Sequence, residues 1–354
     1  MAVIDVLLRE VVARGGSDLH YVTGSKPMLR VNGLLMPIRD EIVPVEQGKA
    51  VLMELLSNIH RKRFEMDKDV DFAYQLPGVS RFRVAMFHQS RGFGAVFRVI
   101  PDKPIPLEEL GLPLSVKKFA ELDRGLVLIT GATGSGKSTT MAAIIDIINQ
   151  QGKKHIVTIE DPIEFVHYNR GCLITQREVG LHTESFADAL RAALREDPDL
   201  ILVGEMRDLI TTQLTLSAAE TGILVFATVH TNSAVKTIDR VVDVFPADEQ
   251  DHVRIMLSVS LKGVISQQLL PTSDGKGRIP AVELMFCNSA ISNVIREGKT
   301  HQLTTLIQSS KKEGMQTMDQ ALYQLYKQGK ISEEMVLSRA TDRGYMMRAI
   351  SSLS

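Results

Sequence analysis

The octapeptide Gly131-Ala132-Thr133-Gly134-Ser135-Gly136-Lys137-Ser138 fits the pattern G-x-x-x-x-G-K-[ST] at every fixed position. It follows the apolar run from Leu126 to Thr130 (LVLIT) and opens the helical stretch STTMAAIIDIINQ, Ser138 to Gln150. A strand that turns through glycines into a helix is a phosphate cradle. The glycines let backbone N–H groups converge on phosphate oxygens, and the helix N-terminus adds its dipole. Lys137 then reaches the outer phosphates, and the Ser138 hydroxyl serves as a ligand for Mg2+. This requirement makes the surrounding domain α/β and marks Gly131, Thr133, Gly134, Ser135, Gly136, Lys137, Ser138 and Thr139 as the nucleotide-binding set, with ATP and Mg2+ as the expected ligands.

Three further apolar runs follow: IVTI from Ile156, LILVG from Leu200 and ILVFATV from Ile223. They do not alternate, as expected of strands buried on both faces of a largely parallel sheet. Ligands of such sheets sit beyond the carboxyl ends of the strands. Here those ends carry Glu160, Asp161 and Glu164, then Glu205, Arg207 and Asp208, then His230, Thr231 and Asn232. Phosphoryl transfer needs a metal ligand, a group that orients the attacking water, and positive charge near the γ-phosphate. Glu205, about seventy residues after the loop, fits the metal role directly or through water. Glu160 and Glu164 compete for the water-orienting role, and His230 is placed to sense the γ-phosphate.

A length of 354 residues leaves room for about two domains. Val3, Ile4, Leu7, Leu8, Val11 and Val12 predict an amphipathic helix stopped at Gly15-Gly16. DLHYV, MLRV and LLMPI read as strands, the last two joined at Asn32-Gly33. One helix is expected from about Ala50 to Phe64, then strands from Asp69 to Ile100 with turns at Pro77-Gly78 and Arg91-Gly92. In SRFRVAM, alternation puts Arg81 and Arg83 on one face and Phe82, Val84 and Met86 on the other. Pro101, Pro104 and Pro106 suggest an extended linker, and beyond about residue 290 the chain reads as helical and polar.

With 44% apolar and 23% charged residues, the composition is that of a globular protein. The net charge of −1, with no Trp and no obvious basic-aromatic interleaving, gives little footing to a nucleic-acid translocase, a reading supported by the P-loop alone. Cys172 and Cys287 lack metal-ligand spacing. No stretch approaches the roughly 18 apolar residues of a membrane span, so a soluble, unsecreted protein is expected.

At these motifs the sequence resembles the secretion-ATPase superfamily, and most closely the PilT-type twitching-motility ATPases that retract type IV pili. GATGSGKST, TIEDPIEF, ALREDPDLILVGEMRD and AAETGILVFATVHTNSA carry the resemblance, joined by GGSDLH, SRFRVAMFHQSRGFGAVFRVIP and GMQTMDQAL. It implies a PAS-like α+β N-terminal domain (1–100), a proline-rich linker (101–114), a RecA-like P-loop ATPase domain (115–288) and a helical C-terminal subdomain (289–354). It also implies a homohexamer, cytoplasmic and peripherally associated with the inner membrane at pilus bases, that meets an inner-membrane platform protein and a paralogous retraction ATPase. Glu164 becomes the catalytic glutamate and Glu205 the magnesium residue, while Arg81, Arg83 and Arg98 approach the phosphates.

Three positions depart from the family pattern. Ile223 stands where the His box usually carries a histidine, Ser292 replaces the arginine of AIRNLIRE, and Ala132 replaces a common loop proline. The first two motivate an alternative, an accessory paralogue that binds ATP and modulates a partner motor with little hydrolysis of its own. The short region before the linker and the two cysteines leave no room for the extra N-terminal domain and four-cysteine element of assembly ATPases, which favours the retraction branch.

Overall fold

The computed structural model describes residues 3–31, 33–100 and 103–352. Asn32 of the expected hairpin turn and Pro101 of the expected linker lie outside the described residues. The chain divides into two compact units, Met1–Lys103 with Asp161–Val166 and Glu178–His182, and Pro104–Glu160 with His167–Arg177 and Thr183–Ser354.

The first unit is built on an antiparallel sheet. Its strands are β1 (Asp18–Val22), β2 (Met28–Val31), β3 (Leu34–Pro37), β4 (Asp69–Leu76), β5 (Ser80–Gln89) and β6 (Gly92–Ile100). Their order is β3-β2-β1-β6-β5-β4. The helices are α1 (Val3–Ala13), α2 (Val45–Glu54) and α3 (Asn58–Asp67). Ile4 and Leu8 of α1, Leu52 of α2 and Phe64 of α3 join Leu19, Phe72, Phe82, Val84 and Phe97 in one core. Tyr74 donates from its hydroxyl to Oδ1 of buried Asp5 at 2.7 Å. The single helix expected from Ala50 to Phe64 is instead two. Ser57 accepts from the His60 N–H at 3.3 Å and starts a new helix, because a serine hydroxyl satisfies one of the free N–H groups of a first turn.

Alternation along β5 buries Phe82, Val84 and Met86 and turns Arg81 and Arg83 to the other face. Arg83 pairs directly with Arg98 of β6, so all three arginines share that face. Like charges directly opposed repel unless acids intervene. Asp18, opposite Arg98 on β1, is 2.9 Å from its Nε, and Asp71 is 3.2 Å from Nη2 of Arg83.

The second unit holds a sheet of β7 (Gly125–Thr130), β8 (His155–Glu160), β9 (Leu173–Glu178), β10 (Leu200–Val203), β11 (Leu224–Val229), β12 (Leu261–Pro271) and β13 (Arg278–Phe286). The order is β13-β12-β7-β11-β10-β8-β9. β12, β7, β11, β10 and β8 run parallel, and β13 returns antiparallel beside β12. Every residue of β7, β10 and β11 is buried, which is why their sequences are apolar apart from Thr130 and Thr228.

The helices of this unit are α4 (Lys137–Gln151), α5 (Phe186–Ala193), α6 (Leu209–Glu220), α7 (Ala234–Asp243), α8 (Gln250–Ser260), α9 (Ser289–Arg296), α10 (Leu303–Ser309), α11 (Met318–Lys327), α12 (Glu333–Arg339) and α13 (Arg343–Ser351). The segment after Pro106 is not wholly extended, since Leu107–Leu110 forms a 3-10 turn with Leu107 in the core. In the tail, Met318, Leu322, Val336, Met346 and Ile350 form their own cluster with Leu270 and Ala281 of β12 and β13.

Buried Glu283 of β13 ties two helices together. Its Oε1 accepts from the Ala234 N–H at 2.6 Å and its Oε2 from the Met318 N–H at 3.2 Å, the first residues of α7 and α11. Burial raises its carboxyl pKa against these two donors.

Candidate functional site: a phosphate loop and the carboxyl ends of a parallel sheet

The loop leaves β7 through Gly131, whose φ of +147° belongs to glycine, and a Cβ there would lie 2.4 Å from the Gln267 carbonyl and 2.3 Å from Ser135 Oγ. Gly136, at φ +91°, caps α4 and releases Lys137 into its first turn. The buried Lys137 donates from Nζ to the carbonyls of Gly131 at 2.8 Å and Ala132 at 3.1 Å, folding across the loop that precedes it. Ala132, Thr133 and Gly134 are exposed at the outer bend, and Ser138 and Thr139 are half-buried in the first turn of α4. Ser135 is buried, and its Oγ has no hydrogen-bond partner among the described residues.

These residues fit a phosphate chain with its cation. The loop has no carboxylate, it stands at a helix N-terminus, and it holds an ammonium and three hydroxyls, those of Thr133, Ser135 and Ser138. Among the described residues no group of three or more His, Cys, Asp or Glu side chains could hold a metal. Mg2+ typically needs only one or two protein ligands beside phosphate oxygens. From β12, buried Gln267 reaches under the loop and donates from Nε2 to Thr140 Oγ1 at 3.0 Å.

Parallel strands end at one edge, so β7, β8, β10 and β11 deliver the phosphate loop, Glu160, Glu205 and His230 to the same side of the sheet. Glu205 is held by an arginine and a histidine. Its Oε2 is 2.7 Å from Nη2 of Arg207 and its Oε1 is 3.1 Å from Nε2 of His230. Burial alone would raise its pKa, but the hydrogen bonds and charges of Arg207 and His230 outweigh it and hold the carboxyl below its ordinary value. An ionised carboxylate suits a group that serves a divalent cation. Glu160 accepts through Oε1 from Thr158 Oγ1 at 2.7 Å and Gln176 Nε2 at 3.1 Å. Asp208 caps α6 by accepting from the Thr211 N–H at 2.8 Å, a structural task.

Glu164 belongs to the first unit, with the arginines. Its Oε1 is 3.5 Å from Nη1 of Arg83, and about a third of its side chain is exposed. Arg81 is engaged by Glu178, 3.2 Å away and almost wholly buried. Arg98 is two-thirds exposed beside Asp18. Glu178, Arg207 as a partner of Glu205, and Gln267 were not singled out from sequence. Only Arg207 carried a signal, being two residues from Glu205 at a strand end. Arg81 lies 97 positions from Glu178, and Thr140 lies 127 from Gln267.

The Type II/IV secretion system protein family matches residues 1–338. The chain belongs to that family. Among its relatives in this secretion family, the type IV pilus retraction ATPase PilT of Pseudomonas aeruginosa is 52% identical over 95% of this chain and 98% of its own. The type IV pilus ATPase PilU of the same organism is 44% identical over 94% of this chain and 87% of its own. A crystal structure of the pilus retraction motor PilT with bound ADP superposes with a TM-score of 0.90 at 46% identity, covering 98% of this chain and 99% of that one.

Two of the positions that depart from the family pattern lie apart from the phosphate edge. Ile223 precedes β11, where its carbonyl accepts from the Gly125 N–H at 3.1 Å, whereas His230 follows the same strand. At about 3.3 Å per residue, roughly 20 Å of strand separates them, so residue 223 sits at the opposite edge of the sheet from Glu205. Ser292 is half-buried in α9, where its N–H donates to the cap Asn288 at 2.9 Å. Among the described residues, no helix is long and apolar enough to cross a membrane.

Proposed function

We propose that this protein is an ATP-hydrolysing motor that powers retraction of a type IV pilus for twitching motility. The observation that carries this reading is the 52% identity to a retraction ATPase over nearly the whole of both chains, in a protein that keeps Lys137, Ser138, Glu164 and Glu205. The retraction ATPase PilT is the nearer in sequence of these two relatives, at 52% identity against 44% for PilU, which favours the motor over the accessory paralogue.

In this proposal the glycines and Lys137 hold the phosphates of ATP, and Ser138 and Glu205 hold Mg2+, Glu205 directly or through water. The ion would neutralise charge on the β- and γ-phosphates. His230 and Arg207 keep Glu205 ionised for that role. Glu164 orients the attacking water and accepts its proton, and Arg83 and Arg98 supply positive charge for the transferring group, Arg81 being engaged with Glu178. The assembled form proposed is a homohexamer in the cytoplasm, peripherally attached to the inner membrane through a pilus platform protein and able to work beside a paralogous ATPase.

Steady-state hydrolysis by the purified protein tests the reading. Wild type is expected to turn over ATP without a partner, and Glu164→Gln to bind nucleotide with turnover reduced at least a hundredfold. Near-normal hydrolysis by Glu164→Gln removes the assignment of the base. A deletion strain that loses twitching and becomes hyperpiliated supports retraction. Normal piliation with weakened twitching supports the accessory paralogue instead.

A further inference from the structure

Glu178 ends β9 with 2% of its surface exposed. One carboxylate oxygen, Oε2, meets Nη2 of Arg81 at 3.2 Å and accepts from the backbone N–H of Ile163 at 3.1 Å. Its own backbone N–H donates to Nδ1 of His182 at 2.9 Å. Ile163 immediately precedes Glu164, and Arg83, on the same face of β5 as Arg81, lies 3.5 Å from the Glu164 carboxylate. All of these residues belong to the first unit. Two neighbouring arginines of one strand thus hold two carboxylates of different character. Glu178 is sealed and bonded to the backbone, whereas Glu164 is partly open.

A buried carboxylate is retained only where charge and hydrogen bonds compensate its lost hydration. Glu178 meets that condition with one arginine and one main-chain N–H, and the N–H belongs to the residue before the proposed base. A charge-assisted bond to that N–H fixes the backbone from which the Glu164 side chain departs. Catalysis is steep in such placement, since an error on the order of 1 Å costs about a hundredfold.

We infer that Glu178 is a positioning residue for the reaction, and that Arg81 acts through Glu178, holding the Ile163–Glu164 backbone in place, rather than on the phosphates. This inference rests on the proposed role of Glu164 as the group that orients water.

The test is ATP hydrolysis by the full-length protein with Mg2+, together with binding of a fluorescent ATP analogue and thermal melting. Glu178→Ala is expected to lower kcat about tenfold to a hundredfold with KM within about twofold of wild type. Glu178→Gln keeps an acceptor for Ile163 and is expected to recover most of that loss. Arg81→Ala is expected to lower kcat similarly, and the double variant to be no slower than Glu178→Ala alone, because the two side chains act as one unit.

Multiplicative losses in the double variant, or a raised KM in Arg81→Ala with kcat unchanged, put Arg81 on the nucleotide and overturn the inference. A wild-type kcat in Glu178→Ala overturns it as well. If Glu178→Ala does not fold, Glu178→Asp decides. Its carboxylate is one methylene too short for Ile163, so normal melting with reduced kcat supports the inference and normal kcat overturns it. Glu164→Gln separates the two readings. Activity in that variant removes the proposed base itself, whereas an inactive Glu164→Gln beside a fully active Glu178→Ala removes only the role of Glu178.

Discussion

Nε2 of His230 lies 3.1 Å from Oε1 of Glu205, joining residues that end neighbouring strands of the parallel sheet. The contact helps Arg207 hold the Glu205 carboxyl below its ordinary pKa against the opposing effect of burial. His230→Ala removes one of two stabilising partners, so the Glu205 pKa rises and the carboxylate protonates at higher pH. The acidic limb of the kcat against pH profile is expected to move toward neutrality, which steady-state assays between pH 4 and 8 will measure.

The same depressed pKa has a consequence for stability. A carboxyl whose folded-state pKa lies below its unfolded value stabilises the fold above the unfolded value, and that contribution disappears as pH falls through the folded value. Glu205→Gln is therefore expected to differ from wild type more at pH 6 than at pH 3. Urea denaturation at the two pH values checks the sign.

Gly131→Ala brings a Cβ within 2.4 Å of the Gln267 carbonyl at a φ of +147°. Strain of this kind costs on the order of 1–3 kcal/mol. The loop is expected to escape it by shifting, so nucleotide affinity falls about tenfold or more, as isothermal titration with ADP will show.

Tyr74→Phe removes the 2.7 Å hydrogen bond to Asp5 while keeping the ring. Burial, and then this bond, push the Tyr74 hydroxyl pKa up to about 12, so the bonded neutral phenol is the form present at neutral pH. Losing a donor to a buried carboxylate is expected to cost about 1–3 kcal/mol, read as a lower denaturation midpoint with unchanged nucleotide affinity.

Ile223→His restores the family residue at the edge of the sheet remote from Glu205. With roughly 20 Å of β11 between positions 223 and 230, ATP turnover is expected to stay within about twofold of wild type. A larger change in kcat assigns residue 223 a part in hydrolysis that reaches it from outside its own strand end.

The phosphate loop was legible in the sequence because its chemistry admits few residues. A φ of +147° demands glycine at 131, and a buried ammonium folding over the loop demands Lys137. The strands β7, β10 and β11 were legible because burial on both faces leaves apolar side chains at nearly every position, Thr130 and Thr228 being the buried exceptions. Alternation was sufficient to place Arg81 and Arg83 on one face of β5.

Other features depend on partners distant in the chain. β12 was hidden because Ser266, Gln267 and Gln268 interrupt its apolar run, and Ser266 and Gln267 are buried polar residues beside the phosphate loop. Glu178 gave no signal at the end of the mixed strand LITQRE, because its importance comes from an arginine 97 residues earlier. The break between α2 and α3 turns on a single serine hydroxyl, which competes with an otherwise acceptable helical pattern.

Glu283 has a mechanical meaning. The helix that follows His230 and the first helix of the GMQTMDQAL segment are fastened to one carboxylate, whose donors lie 49 and 35 positions away. Lifting α11 would strip half the solvation from an acid inside the protein and slacken its grip on Ala234. Tail and histidine-bearing segment therefore share a rivet, and a load applied to one is borne at the root of the other.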